Sequence, residues 1–107
     1  NKKHMKTKLI FNEADKSISI DGIVSKLTDK GIAIFKILLK NKNTLVKRND
    51  ILLTIWGKTD YFTGRSMDVY MCKLRKALST AEGISIENKH GHGFTLLVDD
   101  SVEIEVK

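Results

Sequence analysis

The segment from Arg65 to Leu78 spaces its apolar side chains as one face of a helix does. Met67, Met71, Leu74 and Leu78 fall at positions i, i+4, i+7 and i+11, which form a single narrow stripe on an α-helix. Because this stripe has to be buried, the opposite side of the helix faces outward. That side carries cations, a small apolar group and a thiol, contributed by Arg65, Val69, Cys72, Lys73 and Lys76.

A helix with this outward face fits the major groove of duplex DNA. We expect Lys73 and Lys76 to reach guanine acceptors or phosphates, and Val69 to pack on a thymine methyl, because base edges in the groove differ in such groups. Arg65, near the predicted start of the helix, is placed for a phosphate contact. The alternative is that these cations are only the solvated face of an amphipathic helix, and the helix alone does not decide between the two.

Composition narrows the class of partner and excludes several functions. The formal net charge is +6 in 107 residues, which favours a polyanion such as nucleic acid, although basic charge that only aids solubility is the alternative.

No apolar run approaches the roughly 18 residues needed to cross a bilayer, so no membrane partner is expected. The single cysteine, Cys72, excludes an internal disulfide and indicates a reducing cytoplasm. No catalytic constellation is present, so we expect neither an enzyme nor a cofactor.

Periodicity along the chain predicts one domain of about 107 residues. Residues 7–27 alternate as strands, with a tight turn at Asp21-Gly22. Residues 28–81 hold three helices: one capped by Thr28 that runs to about Lys40, one from about Arg48 to Ile55, and the third from Arg65 after a polar loop, 57–64. Residues 84–98 form a hairpin centred on Gly91, and the tail, 99–107, alternates like a further strand.

Three segments carry a resemblance to a known family over nearly the whole chain. They are LTDKGIAIFKILLKNKNTLVKRNDILLTIWG at 27–57, RSMDVYMCKLRKAL at 65–78 and NKHGHGFTL at 88–96. The first is similar to a Leu-Thr opening, paired helices and a Trp-Gly end, the second to a recognition helix, and the third to a wing in which a glycine pair precedes an aromatic. In this order they resemble the effector domains of OmpR/PhoB-type response regulators, which are bacterial transcription factors of two-component systems.

The resemblance implies an α+β winged helix-turn-helix. Its parts are an N-terminal four-stranded antiparallel sheet, three helices and a C-terminal hairpin wing, with the third helix in the major groove and residues 88–94 at the minor groove. It further implies double-stranded DNA as the partner, with head-to-tail dimers on direct-repeat half-sites. The loop 57–64 is implied as a contact for RNA polymerase, and a receiver domain is expected in the full-length protein but not in this chain. A winged helix that binds other proteins through a non-specific basic surface remains the alternative function.

The resemblance also points to individual DNA contacts. On the recognition helix they are Arg65, Val69, Tyr70, Cys72, Lys73 and Arg75; near the DNA backbone they are Trp56 and Arg48; at the wing tip His90 stands where the family usually has an arginine.

Other interpretations of single residues stay open. Trp56 is equally well explained as a core residue. His90 and His92 are too few ligands for a metal site. Asp68 is expected to orient Arg65 or Arg75, or its neighbouring helix end, and not to perform acid-base chemistry. Lys47 is a poor N-cap for the second helix, so either that helix end frays or Asn49 caps it.

Overall fold

The computed structural model describes residues 7–107, which form three helices and two small sheets. The expected α+β class is confirmed. In chain order the elements are β1 (Thr7–Asn12), β2 (Ser17–Ile20), β3 (Ile23–Lys26), α1 (Asp29–Lys40), β4 (Val46–Lys47), α2 (Arg48–Trp56), α3 (Tyr61–Ala77), β5 (Ile84–Lys89), β6 (Gly93–Val98) and β7 (Val102–Val106).

The first sheet differs from the expected N-terminal four-stranded antiparallel sheet. Its order is β3-β2-β1-β7, so the N-terminal segment supplies three strands and the end of the chain supplies the fourth. β7 runs parallel to β1, from Thr7 opposite Val102 to Phe11 opposite Val106. A parallel neighbour needs a long connection, and here everything from β2 to β6 lies between the two strands. The tail, 99–107, which was expected to alternate like a strand, therefore supplies an edge strand of this sheet.

The second sheet contains the predicted hairpin and one strand that the sequence did not indicate. Its order is β4-β6-β5, with Val46 opposite Phe94 and Lys47 opposite Gly93. Two residues are too few for an alternation pattern, which is why β4 was missed. The Arg48 backbone N–H donates to the His92 carbonyl over 3.0 Å, so the ladder continues into the first residue of α2. The hairpin is thus fixed, directly beside its turn, to the start of the second helix.

The core forms where the inner face of the first sheet meets the helices. Leu9 and Phe11 of the sheet are buried, and the Phe11 ring lies edge-on to Phe35 of α1 with the centroids 5.1 Å apart. The predicted stripe of α3 is buried as well, through Met67, Met71, Leu74 and Leu78. Thr28 caps α1, because its Oγ1 accepts a hydrogen bond from the Gly31 N–H over 3.2 Å. These predictions are confirmed.

The third helix begins one turn earlier than predicted. Asp60 is its N-cap, and the carboxylate accepts the Thr63 backbone N–H over 2.8 Å, which lowers the pKa of Asp60 below its usual value. Thr63 and Gly64 are buried, so the helix already packs on the core there. The second half of the expected loop 57–64 is therefore helical, and Arg65 lies in the second turn instead of at the start. The capping role of Asp60 was the signal in the sequence that was overlooked.

The second helix begins at Arg48 with Lys47 in the N-cap position. Lys47 makes no capping hydrogen bond with its side chain, as expected for a lysine. Asn49 does not replace it, because it already lies within α2. The Arg48 N–H finds its partner in the hairpin, so the helix start is held by the sheet rather than by a cap. The end at Gly57, with φ of 77°, agrees with the predicted Trp-Gly stop.

Candidate nucleic-acid interface

The outward side of α3 carries the side chains that the helical pattern placed there. All five of them are exposed, and Val69 retains 55% of its surface: Arg65, Val69, Cys72, Lys73 and Lys76. They lie opposite the buried stripe, so core packing fixes which way they point. We refer to these five residues as the reading face.

A groove separates α3 from the hairpin. The helix side is lined by Asp68, Cys72, Arg75 and Lys76, and the hairpin side by Asn88, His90 and Gly91. His90 is exposed in the turn, which closes through a 2.8 Å hydrogen bond from the His92 N–H to the Lys89 carbonyl. The fold therefore brings the predicted wing contact, His90, to the same groove as three of the predicted helix contacts.

Asp68 pairs with a residue other than the expected Arg65 or Arg75. Its two carboxylate oxygens accept hydrogen bonds from both terminal nitrogens of Arg48, at 2.8 and 3.2 Å. The Arg48 guanidinium also donates to the Gly64 carbonyl over 3.1 Å. The two expected arginines were wrong because spacing within one helix says nothing about a partner on another helix, whereas the third expectation, a neighbouring helix end, agrees with Arg48 as the first residue of α2. Arg48 thus holds the start of α2 against α3, and this bidentate geometry is the strong form of such a pair.

Trp56 and Tyr70 form a half-buried aromatic contact on the other side of α3. Their ring centroids lie 6.1 Å apart, and both side chains pack against the core. The ammonium of Lys30 lies 5.1 Å from the Trp56 ring centroid, and that of Lys73 lies 5.9 Å from the Tyr70 ring centroid. The sequence did not indicate a role for Lys30. No local pattern marks it, since only the packing of α1 against α2 brings it here.

Ion pairing differs between the first sheet and the side of the molecule formed by α3 and the hairpin. Around the first sheet, lysines are paired with carboxylates, as in Lys16 with Asp29 at 2.7 Å and Lys36 with Glu13 at 3.1 Å. Within residues 7–107, by contrast, no ion pair involves the lysines and arginines of α3 and the hairpin, which are Arg65, Lys73, Arg75, Lys76 and Lys89. These cations are therefore available to attract an anionic partner on this side of the molecule.

Two further observations concern residues 7–107 only. They contain no group of three or more His, Cys, Asp and Glu side chains arranged to hold a metal ion. None of their helices combines the length and the apolar character that a membrane crossing requires.

Comparison with known proteins places the chain in a family. The family described as "Transcriptional regulatory protein, C terminal" matches residues 22–96. The transcriptional regulatory protein RprY of Bacteroides fragilis is 37% identical over 93 residues, which cover 87% of this chain and 39% of RprY. The chain thus spans well under half the length of this relative.

Solved structures share the fold. The DNA-binding domain of CpxR from E. coli matches with a TM-score of 0.68 at 19% identity, over 89% of this chain and 90% of that one. The DNA-binding domain of the response regulator AdeR, solved in complex with an intercistronic region, matches with a TM-score of 0.66 at 19% identity. The match covers 85% of this chain and 95% of the AdeR chain. Identities this low show a common fold alone. Together with the family match, they show that this chain belongs to the C-terminal domains of transcriptional regulatory proteins of the OmpR/PhoB type.

Proposed function

We propose that the chain binds a specific sequence of duplex DNA and regulates transcription as the output domain of a two-component response regulator. The observation that carries the proposal is the reading face: exposed cations on α3, free of ion pairs within residues 7–107 and held outward by a buried stripe. The relatives support it, because RprY is named a transcriptional regulatory protein and the AdeR domain was solved with an intercistronic region. A receiver domain in the full-length protein and a cytoplasmic location are part of this proposal.

The dimensions of the elements suit the two grooves of DNA. An α-helix with its side chains is about 10–12 Å wide, which matches a major groove of about 12 Å. With α3 in that groove, the hairpin turn projects beside it, and His90 and Lys89 would meet the adjacent minor groove. Gly91, with φ of 80°, keeps the tip of the turn narrow, and a Cβ at this position would meet no heavy atom within 4 Å.

The side chains on α3 divide into two roles. Lys73 stands on the reading face and would contact a base edge. Arg65 lines a shallow cleft with Asn49 and Thr59, towards α2, which is a position for the DNA backbone. Arg75, Lys76 and Cys72 border the groove on the wing side, where both kinds of contact are within reach. Base contacts specify the sequence, whereas phosphate contacts position the protein.

Random-site selection with the chain and two variants tests this proposal. The unsubstituted chain should enrich one motif from a random duplex pool. Lys73→Ala should relax the preference at one base position, with a discrimination loss of about 1–3 kcal/mol. Arg65→Ala should keep the motif but weaken binding to every sequence alike, and should reduce the slope of log affinity against log salt by about 0.9.

Two results would count against these assignments. Equal loss of discrimination in both variants would contradict the division of roles. No enrichment above bulk DNA would contradict the proposed function and would favour a winged helix that binds other proteins through its basic surface. A motif that repeats in tandem at a spacing of about one helical turn would support the further proposal of head-to-tail dimers on direct-repeat half-sites.

We also propose that the segment 57–64 contacts an RNA polymerase subunit. Its Tyr61 and Phe62 side chains are 71% and 75% exposed, and their rings lie edge to face with centroids 5.6 Å apart. Exposed aromatic pairs are typical of protein contacts. In the full-length regulator, joint replacement of Tyr61 and Phe62 by serine should lower activated transcription in vitro several-fold while DNA affinity stays within about twofold. An equal fall in DNA affinity would instead assign the pair to the DNA surface.

A further inference from the structure

A second cleft runs along α3 on the side away from the wing. Its walls are the end of β3 and the start of α1 on one side, with Lys26 and Thr28, and α3 on the other, with Tyr70, Lys73 and Lys76. The first turn of α1 therefore lies close to the reading face, although more than thirty residues separate the two in the chain. A helix seated in the major groove has a sugar-phosphate backbone on each side. With α3 in the groove, the wing would lie at one of these two backbones, and the second cleft would face the other.

Lys30 lies in the first turn of α1, next to Gly31, which lines the cleft, but Lys30 itself is not part of the lining. Its ammonium lies over the Trp56 ring, Trp56 contacts Tyr70, and the Lys73 ammonium lies over Tyr70, so two neighbouring aromatic rings lie between two cations across three helices. Lys30 is half-buried and, within residues 7–107, is in none of the ion pairs. Lys26 differs, because its ammonium lies 3.2 Å from the Asp15 carbonyl oxygen and 3.7 Å from the Asp15 carboxylate.

We propose that Lys30 binds a DNA phosphate on the strand across the major groove from the wing. This inference rests on the proposed function and adds a contact that neither the helix pattern nor the resemblance indicated. The Trp56 face restrains the Lys30 ammonium without neutralising its charge, so less side-chain freedom is lost when a phosphate is bound. Trp56 then has a role besides core packing: it positions the cation that meets the phosphate.

The test compares Lys30→Gln with Lys36→Gln, a matched control on the same helix. Lys36 is exposed and paired with Glu13 at 3.1 Å, so both variants lose one positive charge but only one loses the proposed contact. Affinity is measured across a series of salt concentrations, for the selected duplex and for a scrambled duplex of equal length. Lys30→Gln should reduce the slope of log affinity against log salt by about 0.9 and weaken both duplexes by the same factor. Lys30→Arg, which keeps the charge and the ring contact, should restore the slope.

Several outcomes would overturn the proposal. Equal slopes for the two glutamine variants would show that Lys30 meets no phosphate. A lower melting temperature for Lys30→Gln with an unchanged slope would show that Lys30 only supports the packing of Trp56. If the unsubstituted chain bound no duplex, the proposed function and the Lys30 contact would both be wrong, whereas normal binding with equal slopes would overturn the Lys30 contact alone.

Discussion

Replacement of Gly93 by alanine should lower the free energy of unfolding by about 2–3 kcal/mol. Gly93 pairs with Lys47 at the place where β6 meets β4. A Cβ added there would fall on the carbonyl oxygen of Val46 and within 3.0 Å of the Lys47 Cα. Because both obstacles are backbone atoms, no side-chain rotation relieves the overlap, and the two strands have to separate. The change should also loosen the wing from the start of α2, where the Arg48 N–H bonds the His92 carbonyl.

Gly91→Ala is the matched control for this prediction. Gly91 lies in the same hairpin with φ of 80°, but a Cβ there would meet no heavy atom within 4 Å. Its cost should be only the strain of a left-handed alanine, about 1 kcal/mol. Urea denaturation of the two variants measures both effects. If Gly93→Ala lowered the free energy of unfolding no more than Gly91→Ala does, the close approach of β4 and β6 that the structure describes would be contradicted.

A chain that ends at Asp100, and so lacks β7, should lose about 3 kcal/mol of stability or more. β7 covers the open edge of β1 and packs Val102 and Ile104 against the core. Burial of such side chains contributes about 1.5–3 kcal/mol each when complete, and removal of β7 also exposes part of Leu9 and Phe11 to water. Since domains have only about 5–15 kcal/mol of stability, this loss is a large share of the total.

Glu103→Ala is the control for the truncation. Glu103 lies on the same strand but on its exposed outer face, opposite Lys8. Its replacement should change stability by no more than about 0.5 kcal/mol. Thermal and urea denaturation of both variants test the comparison. If the shortened chain kept the stability of the full chain, the tail would be a loose appendage and the parallel pairing with β1 would be wrong.

The parts of the fold that the sequence predicted are those with a local physical cause. The α3 stripe, the Thr28 cap and the Asp21-Gly22 turn each depend on residues a few positions apart, and the structure confirms them. The parallel pairing of β7 with β1 depends on residues at opposite ends of the chain, so alternation revealed a strand but not its partner. The early start of α3 was predictable in principle from Asp60, since aspartate at an N-cap is a local signal.

In the candidate site, too, the features with a local cause were predictable and those that join distant segments were not. The reading face was predictable, because the spacing of the buried side chains fixes the exposed ones. The Arg48 to Asp68 pair and the Lys30 to Trp56 contact were not, because each joins two helices whose relative placement is set by the whole core. Exposure of the reading face is confirmed, while its binding to DNA stays a prediction.

Cys72 allows the central claim, that α3 reads the major groove, to be tested directly. It is the single cysteine of the chain, it is exposed, and it belongs to the reading face. Duplexes that contain the selected site would carry, on one base edge in either the major or the minor groove, a tether that ends in a mixed disulfide with a small thiol. Attack of the Cys72 thiolate on the tether sulfur would form the crosslink and release the small thiol, and the rate of this exchange would be measured. We expect rapid crosslinking from major-groove tethers within the site and none with Cys72→Ser. Crosslinking from minor-groove tethers alone, or none at any position while binding persists, would contradict the claim.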